Sequence, residues 1–133
     1  MIKFGYTILY VEDVEASITF YENAFGFSRK FISPDHDYGE LITGGTTLSF
    51  ASKALASQNL KEGFLESSLG DKPFAIEIGF IVDNVPEVLQ KATSHGAIMV
   101  LEPVEKPWGQ VVAYVRDLDG FLIEICTEVE NVV

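Results

Sequence analysis

The segment DLDGFLIEICT, residues 117–127, decides the fold of this chain. Its Asp-x-Asp-Gly start predicts a tight turn, because glycine adopts positive φ readily and aspartate side chains bond nearby backbone N–H groups. The β-branched and aromatic residues that follow predict a strand. Alternation along that strand places Glu124 on one face with Leu122 and Cys126. A carboxylate in an apolar strand is costly unless its face opens on water, a partner or a metal, so this face is the first candidate for a site.

The composition indicates one domain and argues against several classes of partner. The chain has 133 residues, of which 47% are hydrophobic, and a single cysteine, which excludes a disulfide framework. Its net charge of -11 opposes nucleic-acid binding, which needs clustered Lys and Arg. The charge mildly favours a cationic or neutral ligand, but the simpler interpretation, which we prefer, is that it only keeps the protein in solution. No stretch has the length of a membrane span or the pattern of a signal peptide, so we expect a cytoplasmic protein without membrane contact.

Both halves of the chain follow the same pattern, β-α-β-β-β. Helical spacing of apolar residues follows Asp13 and ends at Gly26, and it recurs after Asp83 and Asn84 and ends near Gly96. Pro103 and Pro107 are expected to break the chain before Trp108, and the segment 52–73 is expected to be a lid, a crossover or a simple linker without a strand. The predicted strands are Phe4–Val11, Phe27–Ile32, Tyr38–Thr43, Thr46–Ala51, Phe74–Val82, Ala97–Leu101, Val111–Arg116 and Phe121–Thr127.

The two halves are an internal repeat. The strand-to-helix junction VEDV at residues 11–14 recurs as VDNV at residues 82–85, an offset of 71 that sets Tyr6 opposite Glu77. The final strands superpose Ser49 on Glu124 at an offset of 75. We therefore divide the single domain 1–133 into a first module at about 1–52, a linker at about 53–73 and a second module at about 74–128. Packed side by side, the modules would direct these four residues into one inner cleft.

These motifs resemble those of the vicinal oxygen chelate superfamily, which includes glyoxalase I, bleomycin-resistance proteins, fosfomycin-resistance enzymes and extradiol dioxygenases. The resemblance implies an α+β fold in which two tandem βαβββ modules form a curved, mostly antiparallel eight-stranded sheet around a cleft. It also implies a homodimer. The residues that carry it are YVED at 10–13, SITFY at 17–21, FGF at 25–27, VDNV at 82–85, PWG at 107–109, DLDG at 117–120 and IEI at 123–125.

The resemblance bears directly on metal binding. Metal-using members place His, Glu or Gln at the positions that here hold Tyr6, Ser49, Glu77 and Glu124. Glu124 keeps the residue of a glyoxalase-type site, whereas Glu77 stands where His is usual and two neutral hydroxyls replace the other ligands. We therefore expect no metal cofactor. If a divalent metal binds, Glu77 and Glu124 would hold it, as Mg²⁺ or Mn²⁺ with water completing the shell.

The candidate site residues have alternative interpretations. Glu77 and Glu124 are the candidate catalytic residues, one ionised and one protonated, or else a pair of solvated carboxylates. His36 and His95 are expected at the surface, and Cys126 has no basic neighbour in sequence that would make it a nucleophile. The candidate ligand-binding residues, of which the aromatic ones could equally be packing residues, are Tyr6, Ser49, Phe50, Trp108 and Tyr114, with Phe80 as a further possible lining residue.

Three functions compete at this point. The first is binding of a small, partly aromatic molecule in the cleft, without a metal, in the manner of bleomycin-resistance proteins. The second is a metal-dependent lyase or isomerase of glyoxalase type, or a dioxygenase, in which Glu77 and Glu124 act as ligand and general base. The third is a non-catalytic module that binds a partner. The sequence leaves open whether the protein is an enzyme.

Overall fold

The computed structural model describes residues 1–129, and it divides the chain into two compact units, Met1–Glu66 and the part that begins at Ser67. Each unit contains one four-stranded sheet. The predicted α+β class and the tandem βαβββ modules are confirmed. The residues expected to link the modules are shared, since 53–66 belong to the first unit and 67–73 to the second.

The first unit has strand order β1-β4-β3-β2. Strand β1 runs parallel to β4, and the other two pairs are antiparallel. The sequence did not reveal the last helix of this unit, which starts in the expected linker behind an N-cap formed by Ser52. The elements are β1 (Tyr6–Val11), α1 (Val14–Phe25), β2 (Ser28–Ile32), β3 (Tyr38–Ile42), β4 (Thr47–Ser52) and α2 (Lys53–Asn59).

The second unit repeats this order as β5-β8-β7-β6, again with a parallel pair between its first and last strands. Its antiparallel pairs are β6 with β7 and β7 with β8. The elements are β5 (Ile78–Ile81), α3 (Val85–Ser94), β6 (Ile98–Glu105), β7 (Val111–Arg116) and β8 (Leu122–Cys126).

The predicted caps position the long helix of each module. The Asp13 side chain accepts from the backbone N–H of Ala16, and Gly26 ends α1 in the left-handed conformation at φ 77°. In the second module the Asn84 side chain accepts from Glu87 N–H at the start of α3. Each cap follows a strand directly, so it fixes where the chain leaves the sheet and which face the helix covers.

Strand register demonstrates that the repeat is structural as well as sequential. Ile8 pairs with Ser49 in the first sheet, and Gly79 pairs with Glu124 in the second, which reproduces the sequence offsets of 71 and 75. Even an irregularity recurs, because β2 shifts register between Arg29 and Phe31 and β6 shifts between Met99 and Leu101. Position 49 in the first module is therefore the structural equivalent of position 124 in the second.

Each sheet buries one face under its own helix. In the first module, Phe50 on β4 packs against Tyr21 on α1, with ring centroids 5.1 Å apart. In the second, the side chains that alternate with Glu124 form the core together with α3. Consequently Ser49 and Glu124 lie on the faces that their helices leave free. The fully buried residues of the second core are Ala92, Ala113, Val115, Ile123 and Ile125.

The Asp117–Gly120 turn fixes the start of β8. Asp117 Oδ1 accepts from the backbone N–H groups of Asp119 and Phe121 at 3.0 and 2.9 Å. Gly120 has φ +89°, and Arg116 donates to its carbonyl and to that of Ser68, at 2.9 Å each. The predicted turn chemistry is thus present, and it also anchors the segment that enters the second unit.

Two predictions about strands were wrong. The apolar run from Phe74 pairs only over Ile78–Ile81, so Glu77 precedes the strand instead of lying within it. Pro103 does not end the chain's extended path, because β6 continues to Glu105. An edge strand tolerates proline at a register shift, where its missing N–H breaks no ladder bond, and β6 is shifted between Leu101 and Val104. Over residues 1–129, no helix has the length and apolar character needed to cross a bilayer.

Candidate functional site

The free face of the second sheet brings two predicted residues, Glu77 and Glu124, to one tyrosine. Tyr114 pairs with Glu124 across β7 and β8. Its hydroxyl lies 2.8 Å from Glu124 Oε2 and 3.3 Å from Glu77 Oε1. Since one hydroxyl reaches both carboxyl groups, Glu77 and Glu124 lie on the same side of the sheet, as a shared site requires.

The pKa values of the two carboxyl groups shift in opposite directions. Burial raises the pKa of Glu77, and a hydrogen bond with Glu124 raises it further. Burial alone would also raise the pKa of Glu124, but hydrogen bonds with Cys126, Tyr114 and Glu77 outweigh burial and lower it. Like charges at close range favour one shared proton, and the opposite shifts make Glu124 the more acidic group of the pair and Glu77 the less acidic one.

A row of polar side chains extends from Glu124 towards Trp108. Cys126 follows Glu124 on the same face, and burial together with the Glu124 carboxylate raises the pKa of its thiol to about 11. Gln110 interacts with that thiol, and its Oε1 accepts from Trp108 Nε1 at 2.9 Å. Trp108 remains 54% exposed, which leaves its ring free to contact a ligand. The high thiol pKa agrees with the prediction that Cys126 is no nucleophile.

A depression in the second unit adjoins Glu77. It has a volume of about 400 Å³, which is the size of a small-molecule pocket. Its walls are mostly apolar, and Glu77 is the ionisable residue among them. The lining residues are Phe74, Ala75, Ile76, Glu77 and Leu122.

The free face of the first sheet holds a second tyrosine–glutamate pair, which the sequence analysis missed. Tyr38 donates to Glu40 Oε2 at 2.6 Å. Glu40 pairs with Ser49 across β3 and β4, just as Tyr114 pairs with Glu124. Burial and the bond to Glu40 raise the pKa of Tyr38 to about 12, while nearby Ser49 acts in the opposite direction. Glu40 stands where the second module has Tyr114, and Ser49 stands where it has Glu124. Because the residue types at these equivalent positions differ, a comparison of the two halves does not reveal the pair.

The other residues singled out from the sequence differ in whether they are exposed or buried. Tyr6 is exposed on β1, and the idea that Tyr6 and Ser49 share a cleft with Glu77 and Glu124 stays a prediction. Phe50 is buried against Tyr21 under α1, which favours the packing interpretation over the predicted ligand contact. His36 lies in an exposed turn and His95 caps the end of α3.

The available donors are a poor fit for a transition-metal centre. Within residues 1–129, no group of three His, Cys, Asp or Glu side chains is arranged to hold an ion. On the second sheet the donor set is two carboxyl groups, and the Tyr114 hydroxyl is bonded to both of them. Metals such as zinc prefer imidazole or thiolate ligands, which this set lacks. We therefore derive no chemical step through a metal.

Comparison with known families agrees with the fold of two tandem modules. A family model described as a glyoxalase-like domain matches residues 4–130. The chain belongs to the glyoxalase-like family. This membership confirms the resemblance to the vicinal oxygen chelate superfamily. A comparison with curated proteins gave no match.

Solved structures share the fold of this glyoxalase-like protein. A glyoxalase-related enzyme from Fulvimarina pelagi is 21% identical with a TM-score of 0.80, over 96% of this chain and 89% of that one. A glyoxalase/bleomycin resistance protein/dioxygenase family enzyme from Burkholderia phytofirmans PsJN is 20% identical with a TM-score of 0.80, over 95% and 98%. A glyoxalase/bleomycin resistance protein/dioxygenase from Nocardioides is 16% identical with a TM-score of 0.75, over 99% and 87%. At such identities the similarity establishes the fold alone.

Proposed function

We propose that this protein binds a small, partly aromatic cation on the free face of its second sheet, without a metal. The observation that carries the proposal is the Glu124 carboxyl group, which accepts from the Tyr114 hydroxyl at 2.8 Å and has a lowered pKa, beside Glu77, whose pKa is raised. An ionised carboxylate in a fixed position attracts a cation, and the half-exposed Trp108 offers a ring for stacking. The net charge of -11 adds a long-range attraction for cations.

Fluorescence of the protein's single tryptophan tests this proposal. Benzylammonium, larger aromatic amines and their uncharged alcohol counterparts would be titrated while Trp108 emission is recorded. We expect saturable changes with the cations only. Glu124→Gln should weaken their binding at least tenfold, since about 1.4 kcal/mol corresponds to a factor of ten.

The matched control is Glu62→Gln, which removes one negative charge from an exposed position in the first unit. It should leave affinity within about twofold, because an exposed distant charge is screened. Equal affinity of the Glu124→Gln and Glu62→Gln proteins, or an unresponsive Trp108 across the whole panel, would refute the proposal.

A second candidate function is acid–base catalysis by the same carboxyl pair, and the divergent pKa values of Glu77 and Glu124 favour it. Glu124 would take a proton from the carbon next to a carbonyl, and Glu77 would donate a proton to the carbonyl oxygen, which gives the enol. Exchange of the hydroxyacetone methylene protons in D₂O, followed by NMR, tests for this activity. Exchange should accelerate with the wild-type protein and not with Glu124→Gln, and no acceleration by wild type would reject it.

The metal-dependent form of this activity makes a separate claim. Elemental analysis of the purified protein, before and after addition of Mn²⁺, Ni²⁺ or Zn²⁺, measures whether an ion is retained. Retention that Glu124→Gln abolishes would replace our metal-free proposal. If the protein retains none of the added ions, the result agrees with the metal-free proposal.

We also propose that the protein is a homodimer, as expected for its superfamily. Light scattering after size-exclusion chromatography measures the mass directly. A mass of twice the 14.7 kDa chain across a hundredfold range of loading concentration is expected. A single-chain mass over that range would exclude the dimer.

A further inference from the structure

Ser49 is a buried polar group with an unusual environment. Its residue exposure is 0%, and Oγ makes no hydrogen bond with any residue in the described part of the chain. Buried hydroxyl groups are nearly always hydrogen-bonded, so a hydroxyl without a partner calls for an explanation. Ser49 lies between Ile8 on β1 and Glu40 on β3, on the face of the first sheet that α1 does not cover.

The side chains around Ser49 form an acceptor cluster. Glu40 is its cross-strand neighbour and keeps 14% of its side chain exposed, so solvent reaches the carboxylate. Glu40 Oε2 accepts from the Tyr38 hydroxyl at 2.6 Å, while Oε1 has a long ion pair of 3.7 Å to Lys30, which is 59% exposed. The carboxylate therefore keeps acceptor capacity for a further donor.

Tyr38 connects the two groups. Its hydroxyl is bonded to Glu40, and Ser49 is near enough to that hydroxyl to influence its ionisation. A hydroxyl proton can rotate between acceptors on either side of it. If a charged N–H donor occupied Glu40, Tyr38 could turn to Ser49 and supply the hydrogen bond that Oγ lacks.

We propose that Glu40, Tyr38 and Ser49 form a second binding subsite, on the first sheet, for a protonated amine of a small molecule. The amine donates to Glu40, and Tyr38 transfers its hydrogen bond from Glu40 to Ser49 as the amine arrives. The free state leaves Ser49 unsatisfied and the bound state satisfies it, so binding gains from a group that costs stability in the free protein. All three residues of this subsite lie in the first module, and the inference does not depend on the site at Glu124.

Ring ¹H–¹³C NMR of the full chain with ¹³C-labelled tyrosine tests the inference. The five tyrosines are resolved and assigned with Phe variants. Benzylammonium chloride is the probe, and benzyl alcohol is its uncharged match. We expect the Tyr38 signals to shift saturably with the cation and to stay in place with the alcohol.

Three variants measure the contribution of each group. Ser49→Ala should weaken binding at Tyr38 about fivefold, the value of one ordinary hydrogen bond, and Glu40→Gln at least tenfold, because the bond to a charged acceptor is stronger. Ser28→Ala, on the exposed edge strand of the same sheet, is the matched control and should leave the dissociation constant unchanged. Ser49→Ala removes no bond in the free protein, so it should fold.

Two outcomes would overturn the inference. One is a Tyr38 signal that does not respond to benzylammonium. The other is Ser49→Ala protein that binds as tightly as wild type, which would mean that Oγ only bonds a buried water. The Tyr114 signals and Trp108 fluorescence report on the second module, so they separate this inference from the proposed function. A response at Trp108 without one at Tyr38 refutes only the subsite, and the reverse refutes only the proposed function.

Discussion

Two buried serine hydroxyls differ in whether they have a partner. Ser49 Oγ makes no hydrogen bond among the described residues, whereas Ser67 Oγ donates to the Asp119 carbonyl at 2.8 Å. The same substitution should therefore have opposite effects. Ser49→Ala removes an unsatisfied group and should stabilise the protein by about 1 kcal/mol, and Ser67→Ala removes a buried hydrogen bond and should destabilise it by about 1–2 kcal/mol.

Thermal unfolding checks this pair of variants. About 1 kcal/mol corresponds to a change in Tm of roughly 2–5 °C for a domain of this size. Ser67→Ala serves as the control for Ser49→Ala, since both delete one buried hydroxyl. If both variants lowered Tm equally, Ser49 would have a bonding partner in solution.

The contributions of Glu77 and Glu124 to the free energy of unfolding should depend on pH in opposite directions. Because the pKa of Glu77 is raised in the folded state, its favourable contribution is present below the unfolded-state pKa and is lost as pH rises through the folded-state value. Relative to wild type, Glu77→Gln should therefore be more stable at pH 7, and this gain should be smaller at pH 4. The gain should stay below about 1 kcal/mol, since Glu77 is exposed and solvent screens it.

Glu124 has the lowered pKa, so its contribution is present above the unfolded-state pKa and is lost as pH falls through the folded-state value. Glu124→Gln should accordingly destabilise the protein at pH 7 and have less effect at pH 4. Urea unfolding at both pH values measures the two variants, with Glu62→Gln as the control for loss of charge. The same sign for both variants would contradict the opposite pKa shifts of Glu77 and Glu124.

Among the elements, the Asp117–Gly120 turn depends most on its sequence. A Cβ at Gly120 would lie 2.8 Å from the Ser68 carbonyl carbon, and the residue has φ +89°. Gly120→Ala should cost about 3 kcal/mol or more, because backbone strain adds to a clash with backbone atoms that cannot move aside. Gly109→Ala is the matched control, since Gly109 has φ +91° and nothing within 4 Å of the added Cβ.

Gly109→Ala should lose only the stability that backbone strain costs, about 1–2 kcal/mol. Denaturant midpoints for the two variants give the comparison. Equal losses would mean that the segment around Ser68 adapts, and that the turn does not anchor it.

Sequence predicted the elements best where local chemistry determines them. Asp13, Asn84 and Gly26 act through hydrogen bonds and φ values within a few residues, so both long helices were predicted with their caps. The extent of β5 was not predictable, because pairing with β8 decides which part of the apolar run from Phe74 becomes a strand. Helix α2 is seven residues long and carries too little apolar periodicity to be recognised.

The same distinction applies to the candidate site. Glu77 and Glu124 were found because each is a charge within an apolar run, and the repeat related them to Tyr6 and Ser49. Glu40 gave no such signal, since β3 is short and polar residues are ordinary there. Its importance comes from the cross-strand pair with Ser49 and the bond from Tyr38, which only the folded sheet creates.

For the molecule as a whole, net charge should govern the response to salt. The chain carries 20 acidic and 9 basic residues, and its surface ion pairs centre on Arg29 and Lys53. Self-repulsion should exceed the weak gain from exposed pairs, so raising NaCl from 20 to about 300 mM should increase Tm by a few degrees. A fall in Tm over that range, measured by calorimetry, would mean that the ion pairs dominate.

The register shifts in β2 and β6 have a consequence for solubility. These strands form one border of each sheet, and β6 exposes Ile98, Met99 and Val100 there. A straight, apolar border strand is a template onto which further chains add, and a bulge interrupts the even spacing of N–H and C=O groups that such growth requires. Because the same interruption occurs in both modules, we expect it to disfavour fibril growth from β2 and from β6.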